Sequence, residues 1–174
     1  MHLDKETGDI WIADVGQSAR EEITIATKGG NHQWPYKQGL INGPKPIPSP
    51  MIGTDVPPVY DYPRSVGGCI IGGIVYRGTE LAGSLTGKYI FGDHNSRKLW
   101  AMTHVPGQAP QIEFLTSVFR SGGTKRGLSG ISANAAGEAY ICELGNTGTN
   151  TGKIYKLTRT GPALERCSDC ERTS

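Results

Sequence analysis

The chain has 174 residues, with 18 Lys and Arg against 16 Asp and Glu and a formal net charge of +2. That length supports one domain with a substantial core, and the near-neutral charge gives no electrostatic case for nucleic acid or an anionic membrane surface. No stretch approaches the roughly 18 consecutive apolar residues of a membrane span, and the 25 glycines and 11 prolines suit short strands joined by many turns.

The first six residues, Met1 to Glu6, have no charged-then-apolar signal-peptide layout and run almost directly into a strand. The segment is therefore expected to be a cut fragment, with Met1 and His2 as remnants. Gly8-Asp-Ile-Trp-Ile-Ala-Asp14 alternates as a half-buried strand does and runs into the turn Asp14-Val15-Gly16-Gln17, where glycine frees the backbone. Glu21 and Glu22 open the next strand, expected over residues 22–27, with Glu21 solvated. Hard oxygen ligands beside a tight glycine turn are what a calcium site needs. Gly29-Gly-Asn-His-Gln-Trp-Pro35 follows as an aromatic-proline corner. Residues 35–58 carry repeated prolines that cannot donate ladder hydrogen bonds and are expected to be loop.

Gly87-Lys-Tyr-Ile-Phe-Gly-Asp93 and Gly137-Glu-Ala-Tyr-Ile-Cys-Glu143 repeat the pattern of residues 8–14: a glycine turn, an alternating aromatic strand and an acidic end. Each is followed by a further strand, expected over residues 98–103 and 153–157. Gly72-Gly73 and Gly122-Gly123 fall in strand-turn contexts, and residues 146–152 form a polar hairpin loop. Self-similarity of this kind marks propeller blades with loop insertions. At about 40–50 residues per blade, residues 1–160 hold about three, and a closed ring takes at least about four. The fold class expected is all-β: a partial β-propeller over residues 1–160, with 161–174 as a linker or disordered tail. The open faces of a half-ring call for the missing half of the propeller or a second copy.

Four cysteines are present. Cys69 and Cys142 sit in strand patterns, as buried thiols or as a disulfide that spacing cannot decide. Cys167-Ser-Asp-Cys170 is a CxxC in the tail. Glu171 stands where a haem c motif needs histidine, and no second pair lies nearby for a zinc site, which leaves a disulfide or free thiols.

Residues 11–24 and 29–35 together resemble the glucose/sorbosone dehydrogenase family, the soluble quinoproteins related to the hedgehog-interacting proteins. The resemblance continues in order through Val66-Gly-Gly-Cys-Ile-Ile-Gly-Gly-Ile-Val-Tyr-Arg77-Gly, residues 87–93, residues 98–102, Gly127-Leu-Ser-Gly-Ile-Ser132 and residues 137–141, covering most of 4–159. It implies a six-bladed propeller that binds PQQ and calcium, oxidises an aldose at C1 and passes electrons to an external acceptor, in a periplasmic or extracellular location. By position, it implies that Gly16 and Gln17 offer backbone carbonyls to an active-site calcium. Glu22 falls on a carboxylate of a second, structural calcium, and His32 on an aromatic that contributes there. Arg126 matches an arginine that faces the PQQ carboxylates, whereas Leu128 stands where a second such arginine is carried. Asn95 falls where a lysine is aimed at the quinone, with Arg97 and Lys98 close by.

No catalytic residue can be assigned on this segment. The histidine base and Arg-Asn pair of the resembled enzymes precede it, and His94 is the one histidine here at a rim position. Each of these residues also has a plain structural reading: a tight turn for Gly16, a strand carboxylate for Glu22, packing for His32, solvated loop charges for the basic residues. Against the enzyme stands a calcium-stabilised binding propeller for carbohydrate or protein partners, motivated by Asn95 and Leu128. A further alternative is an interaction module linked through its CxxC tail to another domain.

Overall fold

The computed structural model describes residues 1–118, 127–146 and 151–159. Among them the first sheet is built from β1 (His2–Leu3), β2 (Ile10–Asp14), β3 (Arg20–Ile25) and β8 (Tyr60–Pro63), in that spatial order and antiparallel throughout. Between β3 and β8 lie two small ladders. Strand β4 (Gly30–Asn31) pairs in parallel with β7 (Thr54–Asp55), and β5 (Lys37–Gln38) pairs antiparallel with β6 (Ile41–Asn42). The expectation of continuous loop over 35–58 is corrected to that extent: the paired residues are those lying between the prolines.

The second sheet is a four-stranded meander of β9 (Ile70–Val75), β10 (Tyr89–Asp93), β11 (Lys98–Thr103) and β12 (Gln111–Ser117). The third has β13 (Leu128–Ala133), β14 (Ala139–Glu143) and β15 (Lys153–Lys156). Strand β9 touches β1 on one side and β13 on the other, so the first strands of the three sheets are neighbours. This is an all-β, partial propeller of three blades.

Strand alternation explains how the blades stack. Successive side chains point to opposite faces, so Tyr89 and Phe91 of β10 leave on one face and Ile90 on the other. Tyr89 and Phe91 join Trp11, Ile23, Tyr62, Ile70, Trp100 and Met102 in a core between the first and second sheets. Ile90 joins Ile74, Leu99, Leu128, Ile131 and Ile141 between the second and third. All five residues of β10 are buried because both faces of the middle blade are covered. The first interface is aromatic: Trp11 stacks on Tyr89 with centroids 4.7 Å apart, and Phe91 on Trp100 at 5.3 Å. Gly72 and Gly73 lie inside β9 and not at a turn. A Cβ on Gly73 would stand 1.9 Å from the carbonyl oxygen of Ile90, so the residue has to be glycine for β9 to seat against β10.

Polar clamps lock the blades together. Arg77, just past β9, grips Asp4 of the first blade through Nε to Oδ1 at 3.1 Å and Nη2 to Oδ2 at 2.6 Å. Glu138 of the third blade accepts the Tyr76 hydroxyl at 2.5 Å and the Thr79 N–H at 2.8 Å. Among the described residues Cys69 and Cys142 are free thiols and form no disulfide with each other, and both are half-buried, which corrects the expectation of buried thiols. No helix among the described residues is long and apolar enough to cross a membrane. The tail, with Cys167 and Cys170, lies outside the described residues.

Candidate functional site

Antiparallel pairing brings three loops to one end of the blades. Asp14 at the end of β2 is opposite Glu22, Arg20 at the start of β3 is opposite Pro63, and Asp93 at the end of β10 is opposite Ile70. The loops after β2, β8 and β10 therefore share a face, and Gly127 at the start of the third blade packs against the backbone of His94 there.

At the centre of this end sits Arg64, from the loop after β8. Its Nη2 donates to the Gly16 carbonyl oxygen, its Nη1 donates to the Gly68 carbonyl oxygen, and Nη1 lies 2.7 Å from Glu21 Oε1. Glu21 is fully buried, which corrects the expectation of a solvated carboxylate. Its Oε2 also accepts the Ile70 N–H at 2.8 Å. Burial pushes the Glu21 carboxyl above its ordinary pKa; the Ile70 N–H and the Arg64 charge pull the other way. A second buried carboxylate, Asp93, accepts the Tyr62 hydroxyl at 3.0 Å, the Cys69 N–H at 2.9 Å and the Ser96 N–H at 2.7 Å. Burial, with the Glu21 and Asp93 charges, pushes the Cys69 thiol up, which disfavours the thiolate.

The structure brings Gly16 and Asn95, picked from two separate blades, to the same place. A Cβ on Gly68 would stand 2.6 Å from Asn95 Nδ2 and 3.4 Å from Arg64 Nη1, so the exposed Asn95 lies over Gly68 beside the guanidinium. His94 Nδ1 is 2.7 Å from the Leu128 carbonyl oxygen. Because a carbonyl only accepts, Nδ1 is the donor in that contact. Leu128 is fully buried in the interface between the second and third blades. Arg126 lies outside the described residues.

Beside Gly16 a cavity of about 230 Å³ is lined by Asp14, Gln17, Glu22, Trp34, Lys37 and Gln38, among others. Glu22 Oε2 accepts the Gly39 N–H at 2.5 Å. Asp14, Glu22 and Asp61 stand opposite one another across three strands, and burial, reinforced by those two like charges, raises the Glu22 carboxyl. Gln38 Oε1 accepts the Ala19 N–H at 3.1 Å, while its buried Nε2 has no partner among the described residues. His32, just after β4, reaches across to β3: its Nδ1 is 3.2 Å from the hydroxyl of Thr24, which shares a face of β3 with Glu22.

The two implied calcium positions fit this arrangement unequally. Asp61 is ion-paired with Arg20 Nε at 3.3 Å, so Glu22 and Asp14 are the carboxylates of this row to which a hard cation would be drawn. Among the described residues no three His, Cys, Asp or Glu side chains are arranged to hold a metal ion, so main-chain or water oxygens would have to complete such a site. At Gly16 the fit is poor, because the carbonyl oxygen already receives a guanidinium N–H.

Nothing in the sequence pattern except the double glycine itself marks Arg64, Gly67-Gly68 or Asp93 as site residues. A Cβ on Gly67 would stand 2.4 Å from Asp93 Oδ2.

No family profile matches the chain. Solved structures do. The PQQ-bound form of an aldose sugar dehydrogenase from Streptomyces coelicolor matches 89% of this chain at 14% identity and a TM-score of 0.55, over 41% of that chain. A glucose dehydrogenase matches 91% at 20% identity and a TM-score of 0.61, over 43% of that chain. A soluble aldose sugar dehydrogenase from Escherichia coli, in its apo form, matches 88% at 17% identity and a TM-score of 0.60. The chain has part of a sugar-dehydrogenase propeller fold. In sequence it is similar to a HIPL1 protein of Arabidopsis thaliana, 28% identical over 92% of this chain. These matches bear out the resemblance read from the sequence. The propeller segment spans 25% of that relative's length and about two-fifths of the solved chains.

Proposed function

We propose that this chain forms the C-terminal blades of a PQQ-linked aldose dehydrogenase of the glucose/sorbosone type. The observation that supports the reading is the meeting of Gly16 and Asn95, from different blades, around a common guanidinium at one end of the fold. In the reaction the sugar loses a hydride from C1 and a proton from its C1 hydroxyl, becoming a lactone, and the electrons pass to an external acceptor. Bound PQQ would supply the hydride acceptor. Asn95 and Arg126 would hold it, with the Arg64 guanidinium adding positive charge against its carboxylates. Glu22, with His32 further along the same face, would serve a structural calcium. The proton-accepting base and the rest of the sugar site belong to the missing blades, and the proposed location is periplasmic or extracellular.

Titration of the chain with PQQ, followed by visible absorbance, tests the reading. Saturable binding is the expected result, together with dye-linked aldose oxidation by a protein that includes the remaining blades. Absence of both overturns it.

The second reading is a binding propeller for carbohydrate or protein partners with no redox chemistry. It is favoured by Leu128, which is buried in the core where the resemblance implies an anion-binding arginine. Calcium-dependent melting with no PQQ uptake, even when the remaining blades are present, would select it.

A further inference from the structure

We propose that Arg64 is a built-in cation that fills the oxygen cage beside Gly16, so that the turn implied for the active-site calcium is held without metal there. This goes beyond the dehydrogenase reading and stands whether or not the protein oxidises sugars.

The cage is assembled from three loops. It consists of the Gly16 carbonyl after β2, the Gly68 carbonyl before β9, and the buried Glu21 carboxylate on β3. Two carbonyls and a carboxylate are the hard oxygen donors that calcium takes. Here the two carbonyls accept N–H groups of one guanidinium, and the Glu21 carboxylate is ion-paired with it. The backbone is shaped for it. A Cβ on Gly16 would stand 1.5 Å from the Arg20 carbonyl oxygen, and one on Gly68 would crowd Arg64 and Asn95. Glycine at both positions lets the two carbonyls close on the guanidinium.

Charge points the same way. Glu21 is fully buried and needs a counter-ion within the cage, and Arg64 supplies it at 2.7 Å. The other buried carboxylate nearby, Asp93, is met by the Tyr62 hydroxyl and by the Cys69 and Ser96 N–H groups. A divalent ion added at the Gly16 oxygen would face the guanidinium that already occupies it. The Arg64 side chain keeps 31% of its surface exposed, so its charge still reaches the end of the fold where Asn95 lies. A ligand bound there would meet a fixed positive charge that chelators cannot remove.

The test is calcium titration by calorimetry, with thermal melting, on the chelator-stripped chain carrying Glu22→Gln, which disables the other carboxylate candidate. That protein is expected to take up no calcium, and its melting temperature to be the same in calcium and in chelator. Adding Arg64→Ala is expected to lower the melting temperature and to create uptake of one calcium equivalent, with calcium restoring part of the lost stability. Arg64→Lys, which keeps a cation, is expected to remain calcium-blind. Stoichiometric calcium uptake with Arg64 intact overturns the proposal, as does a folded Arg64→Ala variant that gains no calcium. If Arg64→Ala does not fold with or without calcium, the titration of the Glu22→Gln protein decides by itself. The readout is metal stoichiometry, so failure here is distinct from failure to bind PQQ or oxidise sugar.

Discussion

The guanidinium of Arg64 donates through Nη2 to the carbonyl oxygen of Gly16, 48 positions earlier in the chain. One side chain thereby ties the turn after β2 to the loop that enters β9, and anchors the buried Glu21 between them.

Glu21 gives a pH signature. Its carboxyl is raised above the ordinary 4.5, with burial as the leading cause. The folded state therefore binds the proton more tightly than the unfolded state, and the group's contribution becomes less favourable as pH rises from about 4.5 through the raised folded value. Glu21→Gln has no such titration. Melting of both proteins between about pH 4 and 7 should show the variant gaining on the wild type as pH rises; parallel curves would refute the assignment.

Asp4 has the opposite sign. The hydrogen-bonded Arg77 holds its carboxyl below the ordinary 3.8. Its stabilisation is present above that value and is lost as pH falls through the depressed folded pKa. Asp4→Asn should cost about 1–3 kcal/mol near neutrality, and the difference from wild type should shrink on acidification below the unfolded value. Denaturant melts across the acid range measure this.

The glycines at the candidate site are steric requirements. Gly16→Ala would place Cβ 1.5 Å from the Arg20 carbonyl oxygen, and Gly127→Ala 1.6 Å from the His94 carbonyl oxygen. Backbone must move in both cases, so a loss of about 1–3 kcal/mol or more is expected for each. Gly29→Ala meets nothing within 4 Å, but its φ of 74° strains any L side chain, and a smaller loss of about 1 kcal/mol is expected. Equilibrium unfolding of the three variants checks the order.

Leu128 cannot be turned back into an anion contact by substitution alone. It is fully buried, and a Cβ on Gly92 would already stand 2.6 Å from its Cδ1. Leu128→Arg should cost more than about 4 kcal/mol by burying an unpaired charge, and Leu128→Ala about 2–5 kcal/mol by opening a cavity. A stable Leu128→Arg protein that gained affinity for a polycarboxylate would contradict this placement.

Much of the fold was legible because strands write themselves as local alternation. The expected strand over 98–103 matches β11, and the acidic-ended repeats match β2, β10 and β14. The strand expected over 22–27 starts two positions late relative to β3, because Arg20 and Glu21 look like surface residues until their partners across the sheet are known. Strands β8 and β12 carry no clear strand pattern in the sequence. Tyr60–Pro63 ends in proline, and Gln111–Ser117 is an outer strand with mostly polar, exposed residues.

The sequence by itself determined the all-β class, the blade repeat, the approximate count of three blades and the family resemblance. All of these rest on period-2 patterning, glycine turns and the order of motifs along the chain. Only the tertiary structure decided which charges are buried and what each one faces. Glu21 and Glu22 are chain neighbours on opposite faces of one strand, and alternation sends the first into the cage around Arg64 and the second to the cavity beside Asp14 and Asp61. The identity of a residue states its charge; the partner that neutralises it comes from 43 residues away in Arg64, through contacts that only the assembled blades create.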